Sequence, residues 1–414
     1  MHVSFLGPLF DRAGPWATVY FDPGQNDESG AKRRELSVRE VCRTLEEQGT
    51  DAATVRAVGD TLTGTAVAEY PTGRALFAAD GEVVLSHRLS RAPQGQLTFW
   101  GPLPRLTPLV ELCGQDPVCL VAYVDRTGAD FERRGPGGSR DVGGVEGQQW
   151  PVHRTSSSDW SERHFQLKVE NTWEQNAAEI AEALATAYEE SGAELVVLVG
   201  DPRERHAVHE KLPEAVREAT VETEHGGRAA GSDSSALEEA VERARSEHTS
   251  RRLQAALDRF RSGRARKDDR PESAVEGVPA VVEAAREHRI DTLLLRPDGP
   301  DLARETWVGP GPDQVAVRRS DAHTLGESDP YPVRADDALL RSAAVTGADV
   351  LVLPLPDDNP SLYADAGHEA SDGTDRTGGP AGAVVTDIPV GGIGALLRWT
   401  YEVTDAADET RSDQ

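Results

Sequence analysis

Two short apolar runs, Val118-Cys-Leu-Val-Ala-Tyr-Val-Asp125 and Glu194-Leu-Val-Val-Leu-Val-Gly200, most constrain what this chain can fold into. Each is strand length and bounded by turn-forming residues, and the second reads as a strand buried on both faces. The first turns at Arg126-Thr-Gly128 and returns through Ala129-Asp-Phe-Glu132. A Gly-rich, partly basic excursion follows from Arg133 to Arg163, and order resumes at His164-Phe-Gln-Leu-Lys-Val169. Thr172 with Gln175 three residues on makes a capping box, and Gly192 stands where a C′ glycine belongs. Between those caps Trp173, Ala177, Ile180, Ala181, Leu184, Ala187 and Tyr188 recur at helical spacing and form one apolar face. The reading is an α/β frame presenting a loop of about thirty residues, a length that in compact domains goes with function or with disorder.

The flanking segments also alternate helix and strand. Trp16-Ala-Thr-Val-Tyr-Phe21 reads as a strand, and Ser37 with Glu40 as a capping box ahead of a helix whose face is Val38, Val41, Cys42 and Leu45, closed by Gly49. Ala75–Ala79 and Glu82–Leu85 flank Asp80-Gly81, a dipeptide suited to the primed turn that matches strand twist. Ala236 to Phe260 predicts one long helix. Val278–Arg286 leads to Thr292–Leu295, and Ala338–Ala344 leads to Asp349–Leu353, so a sheet with helices packed on it is expected. Pro354–Gly382 is rich in Asp, Gly and Pro and reads as a mobile insertion; Ala383–Asp387 restores order and Ile393–Tyr401 reads as a closing helix. The expected organisation is an N-terminal α/β domain at 1–112, a central domain at 113–268 carrying the loop 133–163, a C-terminal α/β domain at 269–404 with the insertion 354–382, and a disordered polar tail at 405–414.

With 414 residues the chain has ample length for several cores. A formal charge of −27 excludes a wholly basic nucleic-acid coat, because such binding neutralises phosphates; contact with RNA would have to be local. The basic residues concentrate after the long helix, where Arg259, Arg261, Arg264, Arg266, Lys267 and Arg270 stand against Asp258, Asp268 and Asp269. A solvated helix end whose cations complement the helix dipole is the plainer reading of that island. Cys42, Cys113 and Cys119 have no metal-type spacing, the first residues lack the basic start and long apolar core of a signal peptide, and no apolar run approaches the ~18 residues of a membrane span. A reducing cytoplasm is the expected location, with no membrane contact.

Conventional catalytic signatures are missing: there is no Walker A loop, dinucleotide fingerprint, H-E-x-x-H or G-x-S-x-G. His206 and His209 are three apart, but no third ligand is placed by sequence, so no metal and no cofactor are expected. Gly135-Pro-Gly-Gly138 and Gly143-Gly144 read as linker rather than phosphate cradle, since neither opens a helix after a strand. The more specific combination surrounds Trp160, which sits in a polar loop among Arg154, Arg163, His164 and Lys168. An aromatic among cations can stack on bases while holding the backbone; Trp160 tucked onto the domain as an anchor fits the same residues.

Gly73-Arg-Ala-Leu-Phe-Ala78, Trp100-Gly-Pro-Leu-Pro104, Val124-Asp-Arg-Thr-Gly-Ala129, Trp160-Ser-Glu-Arg163, Val169-Glu-Asn-Thr-Trp-Glu174, Glu276-Gly-Val-Pro-Ala-Val-Val282, Thr306-Trp-Val-Gly-Pro310 and Gly394-Ala-Leu-Leu-Arg-Trp399 occur in that order. By them the chain resembles, through nearly its whole length, a bacterial family related to the archaeal and eukaryotic peptide-release factors and to Pelota. That group includes actinobacterial ribosome-hibernation factors and is also described as peptidyl-tRNA hydrolase-like. The resemblance implies an α/β protein of three domains: an N-terminal unit, a central release-factor domain with an RNase-H-like frame, and a C-terminal domain like the ribosomal proteins that bind kinked RNA. Release factors carry Gly-Gly-Gln in the central loop, where the glycines let the backbone approach the peptidyl-tRNA ester. Here the corresponding segment is Ser156-Ser-Ser-Asp-Trp-Ser-Glu162, with Glu162 about where relatives carry a glutamine. The Asn-Ile-Lys-Ser motif of the stop-codon readers is also missing, which speaks against codon-specific termination.

What the resemblance implies is therefore a ribosome-associated factor that occupies the A site without catalysis, in the manner of a hibernation factor. Arg154, Trp160, Arg163, His164, Lys168, Arg264, Arg266 and Lys267 are the candidate contacts to ribosomal RNA, a translational GTPase is a candidate further partner, and DNA is not one. The rival expectations are a peptidyl-tRNA ester hydrolase on stalled ribosomes, for which Glu162, Gln148 and Ser161 are the leading candidates to position water, and an acidic protein-interaction module working away from the ribosome.

Overall fold

The computed structural model describes residues 1–24, 28–64, 72–115, 117–135, 138–146, 160–227, 234–264, 272–355 and 388–399, with the backbone alone at 28–29, 160–172 and 234. The chain forms two compact units, one of Met1–Gln115 with Leu253–Gln414, the other of Asp116–Arg252.

At the start of the first unit, β1 (Trp16–Phe21), α1 (Glu28–Glu47), α2 (Ala52–Gly64), β2 (Arg74–Ala79), β3 (Glu82–Arg88), β4 (Leu97–Gly101) and α3 (Thr107–Leu112) follow in turn. The strands make an antiparallel sheet in the order β3-β2-β1-β4. Successive side chains of a strand face opposite ways, and β1 obeys this while buried along its whole length: Ala17, Val19 and Phe21 pack with Val41, Leu45, Val58 and Leu62 of α1 and α2, while Trp16 and Tyr20 enter a second core. The Asp80-Gly81 hairpin forms as read, with φ of 51° and 77° at the two turn residues. The Ser37 capping box does not form. Helix α1 begins nine positions earlier, because Ala31, Lys32, Arg33, Arg34, Glu35 and Leu36 are all strong helix formers and Ser37 becomes interior.

The second unit is built from β5 (Cys119–Asp125), β6 (Gly128–Gly135), β7 (Gly138–Glu146), α4 (Trp160–Ser191), β8 (Leu195–Val199), α5 (Pro202–His209), α6 (Glu214–Glu218), β9 (Thr220–Thr223) and most of α7 (Ser234–Arg264). Its sheet runs β7-β6-β5-β8-β9, with β5, β8 and β9 parallel and the β5-β6-β7 meander antiparallel. Leu120, Ala122, Val124, Val196 and Leu198 meet Ala177, Ile180, Ala181 and Leu184 of α4; Cys119, Val121, Leu195, Val197 and Val199 meet Leu237, Val241 and Ala244 of α7. Two expectations are corrected here. The excursion after Arg133 is in part a hairpin, since β6 runs to Gly135 and β7 pairs with it as far as Glu146. His164–Val169 is helical, and Thr172 lies inside α4 rather than capping it. Glu162, Gln166, Leu167, Lys168 and Glu170 favour helix, so the box at Thr172–Gln175 had no start to mark. The helix ends as read, with Gly192 at φ 63°.

The rest of the first unit comprises β10 (Ala274–Glu276), α8 (Val278–Arg286), β11 (Ile290–Leu295), β12 (Glu305–Val308), β13 (Val315–Ala316), α9 (Arg319–Thr324), β14 (Tyr331–Arg334), α10 (Ala335–Thr346), β15 (Asp349–Val352) and β16 (Ile393–Leu397). One sheet has the order β10-β16-β11-β15 and a smaller one β13-β12-β14. The expected closing helix is thus a strand: Ile393–Leu397 is buried throughout and pairs antiparallel with both β10 and β11. A short apolar run reads equally as buried strand or buried helix, and only the two neighbouring strands decide it. Leu106, just before α3, and Leu109 and Val110 within it share one core with Val281 and Val282 of α8, Leu339 and Leu340 of α10, and Ile393 and Ala395 of β16. On the other face of the sheet Leu294, Leu351 and Leu396 pack on Leu253, Leu257 and Phe260 of α7. The expected insertion 354–382, apart from its first two residues, the strand-like Ala383–Asp387 and the tail 405–414 lie outside the described residues.

Candidate functional site

Helix α4 brings several of the sequence-selected residues onto one element. Trp160, Ser161, Glu162, Arg163, His164 and Lys168 occupy its first turns, and positions 160, 164 and 168 recur at i, i+4 and i+8. The reading of Trp160 as a loop residue is corrected accordingly: it begins a helix of 32 residues. Gln148 and Arg154 fall just before the helix, outside the described residues, as do Arg266 and Lys267 after α7. Arg264 is described and already engaged. Its Nη1 donates to Glu276 Oε2 at 2.9 Å and its guanidinium lies 5.1 Å from the Phe260 ring centre. The neighbouring Arg259 pairs with Asp291 at 3.2 Å.

What holds α4 in place is a lock at the carboxyl ends of the parallel strands β5 and β8, where open α/β sheets usually carry their sites. Asn176, 3% exposed, donates from Nδ2 to the Arg126 carbonyl at 2.9 Å. The Arg126 guanidinium lies 4.5 Å from the centre of the Trp173 ring and donates from Nε to Glu204 Oε1 at 2.8 Å. Asp125 Oδ1 accepts from the Thr127 N–H and hydroxyl, both at 2.7 Å, which closes the turn that presents Arg126. Asp201 caps α5 by accepting from the Arg203 N–H at 3.0 Å. Gly200, at φ 149°, lets the chain leave β8 directly over the Val124 carbonyl, where a Cβ would collide. Trp173, Asn176, Ile180, Arg126, Glu204 and Val208 line a recess of about 70 Å³. The segments Val124–Ala129 and Val169–Glu174, distant in sequence, meet here. Sequence reasoning placed Trp173 on the apolar face, but it is 39% exposed with a cation over its ring. It missed Asn176 altogether; the available signal was a polar residue adjoining Ala177 on the apolar stripe.

On the opposite side of the sheet, Tyr123 donates to Glu132 Oε2 at 2.7 Å, and Arg134 joins Glu132, Tyr123 and Glu238 of α7 at 3.0, 3.1 and 2.7 Å. Burial and the bond to Glu132 push the Tyr123 phenol up to about 12. Burial opposes ionisation of Glu132, but bonds from Ser139, Arg134 and Tyr123 outweigh it and hold the carboxyl below its usual range. Burial also pushes the Cys119 thiol up to about 12, so it is a packed apolar group rather than a nucleophile. His206 lies 3.3 Å from Glu210, and His209 3.5 Å from Glu222. Gly135 and Gly138 face each other across the β6–β7 pairing, and Gly143 and Gly144 lie within β7, so all four belong to the hairpin and not to a linker.

Comparison with known proteins points the same way as the motifs. Residues 118–266 match the family described as bacterial archaeo-eukaryotic release factor family 2. The chain thus carries a release-factor-like segment, as the resemblance implied. It is 27% identical over 401 residues to the uncharacterized protein Rv2629 of Mycobacterium tuberculosis (strain H37Rv), with 96% of each chain covered. Among solved structures it is similar to Archaeoglobus fulgidus Pelota (14% identity, 79% of each chain, TM-score 0.31). Saccharomyces cerevisiae Dom34, described as a translation termination-like factor interacting with Hbs1, gives 11% identity over 82% of this chain and 77% of that one, with a TM-score of 0.40.

Proposed function

We propose that the protein is a ribosome-associated factor that occupies the A site without hydrolysing peptidyl-tRNA. The observation that carries this reading is the release-factor match over residues 118–266 in a chain whose segment corresponding, by the resemblance, to the Gly-Gly-Gln loop is Ser156-Ser-Ser-Asp-Trp-Ser-Glu162. Serines allow less backbone freedom than glycines, and Asp159 and Glu162 would be repelled by the phosphates of the tRNA end. In this reading α4 directs its first turn, with Trp160, Arg163, His164 and Lys168, together with Arg154, toward the peptidyl-transferase centre, and the N-terminal domain faces the decoding site. The lock of Arg126, Trp173, Asn176 and Glu204 supports that role by fixing the middle of the helix against the sheet.

Binding to RNA by so acidic a chain rests on local cations and must be salt-sensitive. The test is co-sedimentation of the protein with vacant 70S ribosomes across a salt series, followed in the same tubes by release of labelled peptide from peptidyl-tRNA. Binding that falls steeply with salt, without release, is the expected result. Binding insensitive to salt would refute the phosphate contacts. Peptide release would move the protein to the hydrolases, and no binding at low salt would refute ribosome association itself.

A further inference from the structure

Within the first unit, independently of that reading, a recess of about 290 Å³ opens beside Phe10, Arg12, Trp16, Pro310, Tyr331 and Arg341. Its volume is at the lower end of small-molecule sites. The unusual member is Arg341 of α10, which is 6% exposed. Its guanidinium donates to the carbonyl oxygens of Gly309, at 2.8 Å, and Pro310. Among the described residues no carboxylate comes within ion-pair distance of it, whereas Arg105 on the neighbouring loop has two. Burial lowers the proton affinity of the Arg341 guanidinium, opposed by the charges of Tyr331 and Asp313. A buried cation without an anion is costly, and two carbonyls leave part of the five-donor fork unfilled.

Tyr331 adds a second donor. Burial raises its phenol, the Arg341 charge lowers it and the Glu327 carboxylate raises it, and both Tyr331 and Arg341 line the recess. Its hydroxyl has no hydrogen-bond partner among the described residues. The fork of an arginine matches a carboxylate in a plane, and Phe10, Leu103 and Pro310 give the recess apolar wall. Arg12 on that side is paired with Glu82 at 3.1 Å, and exposed Asp11 lies at the rim.

We infer that this recess binds a small organic carboxylate with an apolar or aromatic body, its carboxylate received by Arg341 and Tyr331 and its body by Phe10 and Leu103. The test uses the full chain and isothermal titration with three probes, benzoate, 3-methylbutanoate and phenylpyruvate, against benzamide and inorganic phosphate as controls. At least one acid is expected to bind, and benzamide, which keeps the shape of benzoate and lacks its charge, to bind about tenfold or more weakly by comparison, the loss of one charge-assisted pair. Arg341→Met should abolish binding, and Tyr331→Phe should weaken it severalfold while keeping the fold. If Arg341→Met fails to fold, the Tyr331→Phe and benzamide comparisons decide. The inference is overturned if none of the acids binds, if benzamide or phosphate binds as tightly as the best acid, or if folded Arg341→Met retains binding.

Discussion

Replacing Asp337 by asparagine should make the first unit less sensitive to pH, and replacing its neighbour Asp336 should simply weaken it. Both carboxylates are buried at the start of α10, 0% exposed for Asp336 and 6% for Asp337, and both take Arg105 Nη1, at 2.8 and 3.1 Å. Asp336 is the better satisfied: it also accepts from the Thr107 hydroxyl at 2.7 Å, from Arg334 Nε and Nη2 at 3.0 Å, and from the Asp337 N–H at 3.0 Å. Beyond Arg105, Asp337 receives the Leu106 N–H at 3.0 Å. Burial first, and then the charge of Asp336, push the Asp337 carboxyl up from 3.8 to about 7. The folded state therefore holds this proton more tightly than the unfolded chain does. Its stabilising contribution is full below about pH 4 and is lost as the pH rises through about 7. The rise corresponds to about 4 kcal/mol as a ceiling, of which about 3 falls between pH 5 and 8. Half-buried His87, whose affinity for protons is lowered by burial, pulls the opposite way at mildly acidic pH; it is common to both proteins and cancels in their difference. Urea unfolding of wild type and Asp337→Asn from pH 5 to 8 measures that difference. The wild-type curve should fall relative to the variant by up to about 3 kcal/mol with rising pH, while Asp336→Asn should cost about 1–3 kcal/mol at neutral pH because it removes the anion beside partly exposed Arg334 and leaves Arg105 to Asp337 alone. Parallel curves for wild type and Asp337→Asn would refute the reasoning.

Asn176→Ala should destabilise the second unit by about 1–3 kcal/mol, because it strands the Arg126 carbonyl behind α4; a Tm equal to wild type would show that the lock is not structural. Gly200→Ala should cost about 1–3 kcal/mol, since an alanine at φ 149° is strained and its Cβ meets the Val124 carbonyl. Cys113 and Cys119, both pushed up to about 12 by burial, should resist iodoacetamide in the native protein, leaving half-buried Cys42 to react first; mass spectrometry reads the order, and early labelling of Cys119 would contradict the packing. If the proposed function holds, Glu162→Ala should leave ribosome co-sedimentation unchanged and neither protein should release peptide; release by wild type that is lost in Glu162→Ala would return Glu162 to a catalytic role.

Much of the fold was legible because its signals are local. Asp80-Gly81 prescribes a turn through the φ values its residues tolerate, and Ala177, Ile180, Ala181 and Leu184 prescribe a helix face through their spacing alone. The candidate site was legible in part. The cationic set around Trp160 could be picked out by residue type, but its placement on a helix was obscured, because the Thr172 box resembled a start and outweighed the helix propensity of the residues before it. Asn176 shows the limit from the other side: one polar residue on an apolar stripe means a buried hydrogen bond only if an acceptor comes to meet it, and that acceptor lies 50 positions away at Arg126.

By itself the sequence determined the alternation of helix and strand, the buried character of β5 and β8, the charge that confines any RNA contact to small areas, and the departure from Gly-Gly-Gln. These follow from propensity, periodicity and composition, which act within a few residues or over the whole chain at once. Tertiary structure alone decided that Ile393–Leu397 is a strand, since β10 and β11 supply its hydrogen bonds from both sides. It alone brought Arg105 to Asp336, 231 positions away, and buried Arg341 with no carboxylate among the described residues in ion-pair distance. Such pairings depend on which distant segments close on one another, and a polar residue's meaning changes with the partner it finds there.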